Sequence, residues 1–521
     1  MTYALDVNVR DLAAAFGRDV GWLDENTRKI TTDATRAPLP TDDEVQGYAP
    51  GSRWLWQGQE WVAAGVAEGA AVWSPVSYGT LPSRGEAETT SVPPQIDRIG
   101  VFAPNGDALF YKRDAEGTAL TTGDGAKWSP ADEVTPGHFG AVGDGVTDDS
   151  GAIQAAINYL GVLKGGRLHI PAGNYKVLST IVVNVSSIQV IGDGSAGSFN
   201  NNNGKGVRGT RIHTTATGLP ALMDLGDDTY LYTGIHISGI CFDANYNTVG
   251  LRLNNGCVKC TVKGNTLLRT TKGIEVLGTG PRTSFGCVIT NNLIEHFKQI
   301  GIDVSGDGNE LSVEYNKFMN TSANTPEAAV RVGAANEPVN GVRILNNDFG
   351  PQNVIHMIDY RNGNGFVISG NTLEASGNSD RIATALVNLG TDTTVCSDFV
   401  LIGNRYLGNN KAQYGLRLTN VNRGSLIAES FTGAYTATSR IFTVKLSNMI
   451  AVGLGHNTDN LLLDKTGFNV WMNHTTRSLY TLAAHTTTRS IDPSVITLAQ
   501  LAEAVCTLVT DMSDLRLVRT S

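Results

Sequence analysis

From Gly165 to about residue 470, apolar and polar positions recur with a long period. The core of the repeat is apolar-x-x-Asn-x-apolar. It occurs at Val262, Asn265, Leu267; Ile289, Asn292, Ile294; Val313, Asn316, Phe318; Ile344, Asn347, Phe349; Ile368, Asn371, Leu373; and Leu401, Asn404, Tyr406. Successive asparagines stand 27, 24, 31, 24 and 33 residues apart. A degenerate earlier copy has Ile240 in the asparagine slot, and later copies carry Glu429 and Val452. Periods of this length mark a solenoid. The unit holds short β-runs and glycines, not paired helices, so each coil supplies about three strands and stacks on its neighbours as a parallel β-helix. Asparagines at one corner then bond along the axis and satisfy turn amides that would be buried without partners.

A second pattern follows each corner, Gly-apolar-x-apolar: "GLRL" (250–253), "GIEV" (273–276), "GIDV" (301–304), "AVRV" (329–332), "LVNL" (386–389) and "GLRL" (415–418). Alternation along a strand turns x outward. The expected outward row is Arg252, Glu275, Asp303, Arg331, His356, Asn388 and Arg417, with Ile358 or Asp359 as alternatives to His356. Coils about 4.8 Å apart would set the carboxyls of Glu275 and Asp303 roughly 5 Å apart. Two like charges so placed push one carboxyl towards holding its proton, and retaining glycosidases use a separation of about 5–5.5 Å. The catalytic candidates are therefore Glu275 and Asp303, with Glu314 on the next strand of the Asp303 coil as a third. Arg252, Arg331, His356, Asn388 and Arg417 are the substrate-binding candidates, the arginines suiting acidic sugar groups. The same row also reads as an ordinary surface charge ladder. An intersubunit cleft using Asp307, Glu310, Glu374 or Asp380 stays open, and Tyr315 and Tyr360 are candidate sugar-stacking rings.

The solenoid begins at "FGAVGDGVTDDSGAIQAAINYL" (139–160). Asp148, Asp149 and Ser150 are placed to cap a helix, and Ile153, Ile157 and Leu160 give it one apolar face, so the spacing predicts an amphipathic helix over 149–163. An exposed coil end needs such a lid. Upstream, "GYAPGSRWLWQGQEWVAAGVAEGAAVW" predicts a hairpin module whose Trp54, Trp56 and Trp61 form its core or, alternatively, a glycan platform. Asn105-Gly106 between "IGVFAP" and "DALFYKR" predicts a type I′ hairpin. Near the end, Leu498, Leu501, Val505, Leu508, Met512 and Leu515 occupy three heptads of a/d positions after Pro493, which reads as an oligomerisation clamp or as a helix packed on the body. The chain thus divides into β modules at 1–79 and 96–136 joined by a linker at 80–95, a β-helix at 137–478 and a clamp at 479–521.

Composition supports short strands and many turns: 521 residues with 59 glycines, 41% hydrophobic and only 17% charged. A net charge of −9 speaks against nucleic acid as partner. No apolar run is long enough to span a membrane, and the start lacks a signal-peptide pattern. Cys257-Val-Lys-Cys260 lacks the second ligand pair that a zinc site needs. Cys260 and Cys287 each lie five residues before their asparagine, and Cys257 and Cys396 eight before, which predicts stacked core thiols. Neither a metal nor another cofactor is expected.

"FGAVGDGVTDDSGAIQAAI" with "GGRLHIPAGNYKV" resembles the pectate-lyase-like superfamily of phage tailspikes and related polysaccharide-active proteins. There the phrase marks the capping helix and first coil, and with the repeats the resemblance covers about residues 137 to 470. The hairpin module and "APNGDALFYKRDAEGTALTTGDGAKWSPADEVTP" look like virion-attachment and adaptor modules. The resemblance implies an all-β, right-handed parallel β-helix in a homotrimer, made in the host cytoplasm and carried on a virion through its N-terminus. It implies binding and hydrolysis of a bacterial surface polysaccharide, without nucleic acid or membrane insertion. A non-catalytic glycan-binding spike and a polysaccharide lyase remain alternatives. No site residue carries over, because the family's catalytic acids vary in position.

Overall fold

The computed structural model describes residues 29–454, apart from 32–33, 35, 57–58, 95, 196–208, 279–281, 307, 321–324, 335–336, 376–380 and 438–439, and also the strands Phe468–Asn473 and Tyr480–Leu482. The heptads at 498–515, Asp307 and Asp380 lie outside the described residues. The chain forms two units, 1–142 and 143–521.

The first unit is built on an eight-stranded sheet. Arg53–Trp56 and Gln59–Gly65 pair antiparallel as the aromatic alternation requires. Trp54 packs with Trp73 and Tyr48 in the core, its Nε1 donating to the Arg36 carbonyl at 2.8 Å. That burial makes Trp54 core, not glycan platform. The tract 80–95 differs from the expected linker. It contains the helix Arg84–Thr89, with the Ser83 hydroxyl accepting from the Glu86 N–H, and buries Ala87 and Val92 beside Tyr111 and Trp128. A good N-cap and two apolar anchors outweigh its linker-like composition.

The Asn105-Gly106 hairpin joins Arg98–Phe102 to Ala108–Arg113, but its turn is not type I′. Type I′ needs positive φ at both central residues. Here Gly106 alone has it (φ 92°), and its N–H bonds to the Ala103 carbonyl at 2.9 Å. Pro104 holds its own φ negative and so selects a three-residue loop closed by the glycine.

The second unit is a parallel β-helix of about ten turns. Three rows of short strands make three faces. The first runs through Val249–Leu253, Lys272–Val276, Ile300–Val304 and Ala328–Val332. The second runs through Thr261–Lys263, Val288–Thr290, Ser312–Glu314 and Arg343–Leu345. The third runs through Thr266–Leu268, Leu293–Glu295 and Lys317–Asn320. Between second and third faces stand the six buried asparagines. The Oδ1 of Asn292 accepts from both the backbone N–H and the Nδ2 of Asn265, at 3.0 and 3.2 Å, and the same pair of bonds repeats through Asn316, Asn347, Asn371 and Asn404. Inward aromatics stack in register, Phe318 on Phe349 at 4.7 Å and Tyr406 on Phe431 at 4.4 Å.

Glycine recurs at the head of the first-face strands because coils approach closely there. A Cβ on Gly301 would lie 2.5 Å from the Ala329 carbonyl oxygen. In the last repeat Leu426 pairs with Ala451, so the corner slot after Glu429 falls to buried Leu454. Val452, expected there, instead lies on the strand's outer side. All five described cysteines are free and buried. Cys287 donates to the Cys257 carbonyl and Cys257 to that of Leu225, while burial pushes the Cys241 and Cys396 thiols up to about 12.

At the start of the β-helix, the three aspartates organise the turn. Asp144 accepts from the N–H groups of Val146 and Thr147, Asp148 from those of Ser150 and Leu178, and Asp149 from that of Gly143. Helix Ser150–Val162 buries Ile153, Ala156, Ile157 and Leu160. Its Gln154 bonds both backbone groups of Val182 on the edge strand Ile181–Val183, at 2.8 and 3.0 Å. Those are the unpaired groups an open coil end presents.

Glu429 ends the asparagine ladder. Its carboxyl accepts from the Asn404 N–H and Nδ2 and from the Tyr406 hydroxyl at 2.6 Å. It is fully buried, and desolvation raises it to about 7, above the ordinary glutamate value. A carboxyl raised in the folded state keeps its full contribution at acid pH and loses it as pH climbs from the unfolded value through about 7. Glu429→Gln, which restores an amide to the slot, should therefore raise the melting temperature at pH 8, by an amount equivalent to about 3 kcal/mol, and much less at pH 5. Thermal denaturation at the two pH values checks this.

Candidate functional site

The outward row of the first face is Asp224, Arg252, Glu275, Asp303, Arg331, Asp359, Asn388, Arg417 and Phe442, each paired in register with the next. Asp359, not His356, holds the place beside Arg331. His356 pairs instead with Ala328 and Ala385, three residues earlier along the strand. His356 continues the column of Lys272, Ile300 and Ala328, so the strand's own Ile-Asp-Tyr segment supplies the outward residue beside Arg331.

The row is an ion-pair lattice, not two bare carboxylates. The Lys272 ammonium bonds both Glu275 and Asp303, the latter at 2.6 Å. Arg331 grips Asp303 with Nε and Nη2 at 2.8 and 2.7 Å and reaches Glu327 with Nη1 at 2.7 Å. Arg361 bonds Glu327 and also Asp359, at 2.7 Å to the latter. Asn388 donates to the other Asp359 oxygen at 2.8 Å. At the far end Arg252 forks onto Asp224 at 2.9 and 2.5 Å. Burial alone would pull Lys272, Arg331 and Arg361 down, but the carboxylates around them leave all three raised.

Asp303 has no exposed surface, and its oxygens are taken by Lys272 and Arg331, so it touches no substrate. The Glu275 carboxylate is bound to Lys272, which stands between the two acids expected to face each other alone. Glu314 lies on the second face, half-buried, accepting from the Ser312 hydroxyl at 3.1 Å, and is not brought to the row. Tyr360 is fully buried against Phe366 at 3.7 Å, so it offers no ring to a sugar; Tyr315, 56% exposed, does. Glu310 is exposed and Glu374 half-buried.

Beyond Asp359 the lattice opens into a groove of about 350 Å³ lined by His356, Asp359, Arg361, Asn388, Gly390, Thr391, Asp392, Thr393 and Arg417. Three of the expected binding residues, His356, Asn388 and Arg417, thus converge. Arg417 differs from the other row arginines: among the described residues no carboxylate pairs with it. It has one long bond to the Asn388 Oδ1 at 3.4 Å and lies 5.8 Å from the Phe442 ring centre. His356 Nδ1 is 3.1 Å from the Ala385 carbonyl, which can only accept, so Nδ1 carries the hydrogen and Nε2 keeps its lone pair. Burial lowers the His356 pKa, against the pull of Asp359, which keeps the ring neutral at pH 7. Lys272, Glu327, Arg361 and the rim residues Thr391, Asp392 and Thr393 were not anticipated; the only local signals were Lys272 three residues before Glu275 and Glu327 four before Arg331.

Residues 137–346 match the family model described as rhamnogalacturonase A/epimerase, pectate lyase-like. Over that stretch the chain is similar to that family, and the match covers less than half of its length. Among curated proteins, the mannuronan C5-epimerases AlgE1 and AlgE4 of Azotobacter vinelandii are 56% and 54% identical over 39 residues, 8% of this chain. The match spans 3% and 7% of those proteins' lengths. Among solved structures, the tailspike protein of Acinetobacter baumannii phage AM24 superposes with a TM-score of 0.51 at 14% identity, over 69% of this chain and 62% of the tailspike. The surface adhesin PfbA of Streptococcus pneumoniae superposes at 0.48 and 15% identity, over 62% and 84% of the two chains. The parallel β-helix is therefore a fold shared with a phage tailspike.

If the lattice holds this face together, removing its centre should be costly. Asp303→Ala leaves Lys272 with Glu275 alone and Arg331 with Glu327 alone and should destabilise the protein by about 1–3 kcal/mol, read by chemical denaturation.

Proposed function

We propose that this protein is a spike of the tailspike build that binds a bacterial surface polysaccharide in the Arg417 groove and depolymerises it. The carrying observation is the contrast along one row: the arginines from Arg252 to Arg361 are matched by carboxylates, and Arg417, at the floor of an open polar groove, is not. A guanidinium with spare donors beside hydroxyl-bearing threonines suits an acidic sugar. The pectate lyase-like match and the shared tailspike fold support this reading. It includes virion attachment through the N-terminal unit, a homotrimer, and action at the host cell surface.

Glycoside hydrolysis is the first chemistry we assign. Asp303 is sealed and Asp359 is buried with both oxygens bonded, so the exposed rim carboxylate Asp392 replaces Glu275 and Asp303 as the acid to test. His356 favours a second reading. A neutral imidazole with Nε2 unprotonated, beside a guanidinium that can neutralise a uronate carboxylate, is equipped to abstract a proton in an elimination.

Incubation with the host's purified surface polysaccharide, followed by size-exclusion chromatography with ultraviolet detection, separates the cases. Shortening with a new absorbance marks elimination, and shortening without it marks hydrolysis. Binding without shortening leaves a non-catalytic adhesin, and absence of binding overturns the proposal. Arg417→Gln should weaken binding to an acidic glycan by about 10- to 100-fold, the worth of a charge-assisted contact. Wild-type binding should fall as salt rises, because the Arg417 contact is exposed to screening.

A further inference from the structure

The outward row of the first face ends in rings. Arg417 pairs in register with Phe442 on the next coil. Tyr414 stands three residues before Arg417, as His356 stands before Asp359, and it continues the column of His356 and Ala385. The Tyr414 and Phe442 rings lie 5.1 Å apart and are tilted by 37°. Both side chains are partly exposed, while Leu416, Leu418 and Ile441 beside them are fully buried in the core. The inward rings differ. Phe318 on Phe349, Phe366 on Phe399 and Tyr406 on Phe431 stack within 10° of parallel and are sealed from solvent. Parallel stacking lets each inward ring cover its neighbour, whereas the tilt of the outward pair leaves ring faces uncovered. Core packing therefore accounts for the inward rings and not for Tyr414 and Phe442.

We infer that Tyr414 and Phe442 form a second subsite, which takes a neutral sugar directly next to the acidic sugar held by Arg417. The inference rests on the groove reading proposed above and adds to it the kind of sugar that must follow. The rings are continuous with the groove, since the Phe442 ring centre lies 5.8 Å from the Arg417 guanidinium. A glycan lying in the groove and running along the β-helix axis passes from guanidinium to ring within one coil, about 4.8 Å. The apolar C–H face of a pyranose packs on such a ring, and aromatic surface beside a few placed polar groups is the ordinary make-up of a ligand site. The face of an aromatic ring carries the negative part of its quadrupole, so it disfavours a carboxylate and selects a neutral sugar. Tyr414 adds a polar contact. Its hydroxyl accepts from Gln413 Nε2 at 3.4 Å, and among the described residues its own hydrogen has no acceptor, which leaves it to a sugar oxygen. The bound stretch is therefore an acidic sugar followed by a neutral one, not a run of consecutive uronates.

The test uses oligosaccharides released by mild acid from the host's purified surface polysaccharide, titrated with the full chain at low and high salt and followed by NMR. Wild type should move C–H protons of a neutral sugar upfield, the mark of protons held over an aromatic face. Phe442→Leu keeps the apolar bulk and removes the ring. It should bind about 3- to 10-fold more weakly, lose the upfield shift and keep the salt dependence that Arg417 supplies. Phe442→Trp should restore both affinity and shift, and circular dichroism checks the fold of each variant. Binding that falls in Arg417→Gln but is unchanged in Phe442→Leu overturns the inference alone and leaves the groove reading standing. A folded Phe442→Trp that binds no better than Phe442→Leu also overturns it, as do upfield shifts confined to the acidic sugar. Absence of binding by wild type overturns the groove reading and the subsite with it.

Discussion

A parallel solenoid must turn its chain at each corner without leaving buried backbone amides unpaired, and here one side-chain type meets that requirement repeatedly. Each ladder asparagine accepts the amide hydrogens of the coil before it through Oδ1 and sends Nδ2 back to a carbonyl of that coil, as Asn292 does to Val262 at 2.9 Å. Only an amide side chain of this length both donates and accepts at the spacing of stacked coils. The corner also forces a left-handed residue just ahead of the asparagine: Gly264, Asn291, Tyr315, Asn346, Gly370 and Gly403 all have positive φ. Once these corners are held, the strand register between coils follows, and with it every row on the three faces.

That register is what places the chemistry. Outward residues from different coils stand side by side, so residues far apart in sequence, such as Glu327 and Arg361, become ion-pair partners. A lattice of this kind is favourable only when every buried charge has a counter-charge, and the row from Asp224 to Asp359 keeps to that condition. Arg417 is where it lapses. The unmatched guanidinium, the neutral His356 and the groove between them occur together at the point where the lattice gives way to threonines and a rim aspartate. On the neighbouring face the outward columns change over the same coils, from Ser312 and Glu314 to Val400 and Ile402.

Glu429 shows how far the corner requirement can be relaxed. A carboxyl can accept from Asn404 as an amide would, but it has no hydrogen to give when ionised, and burial raises its pKa accordingly. It stands where the ladder stops, and the next coil fills the slot with Leu454. Polar stacking at the corner thus gives way to apolar packing over two successive turns.

The sequence by itself determined the architecture. The spacing of Asn265, Asn292, Asn316, Asn347, Asn371 and Asn404 is a direct record of coil length, and the Gly-apolar-x-apolar strands record which side chains leave the core, because a period-2 strand on a stacked coil has only two sides. It also named Asn388 and Arg417 of the groove. Tertiary structure alone decided what those side chains do. Lys272 between Glu275 and Asp303, the sealed state of Asp303, the place of Asp359 rather than His356 beside Arg331, and the burial of Tyr360 all depend on contacts between neighbouring coils that alternation cannot register. Local sequence fixes the direction of a side chain, while its partner, its charge state and its access to solvent are set by the neighbouring coil.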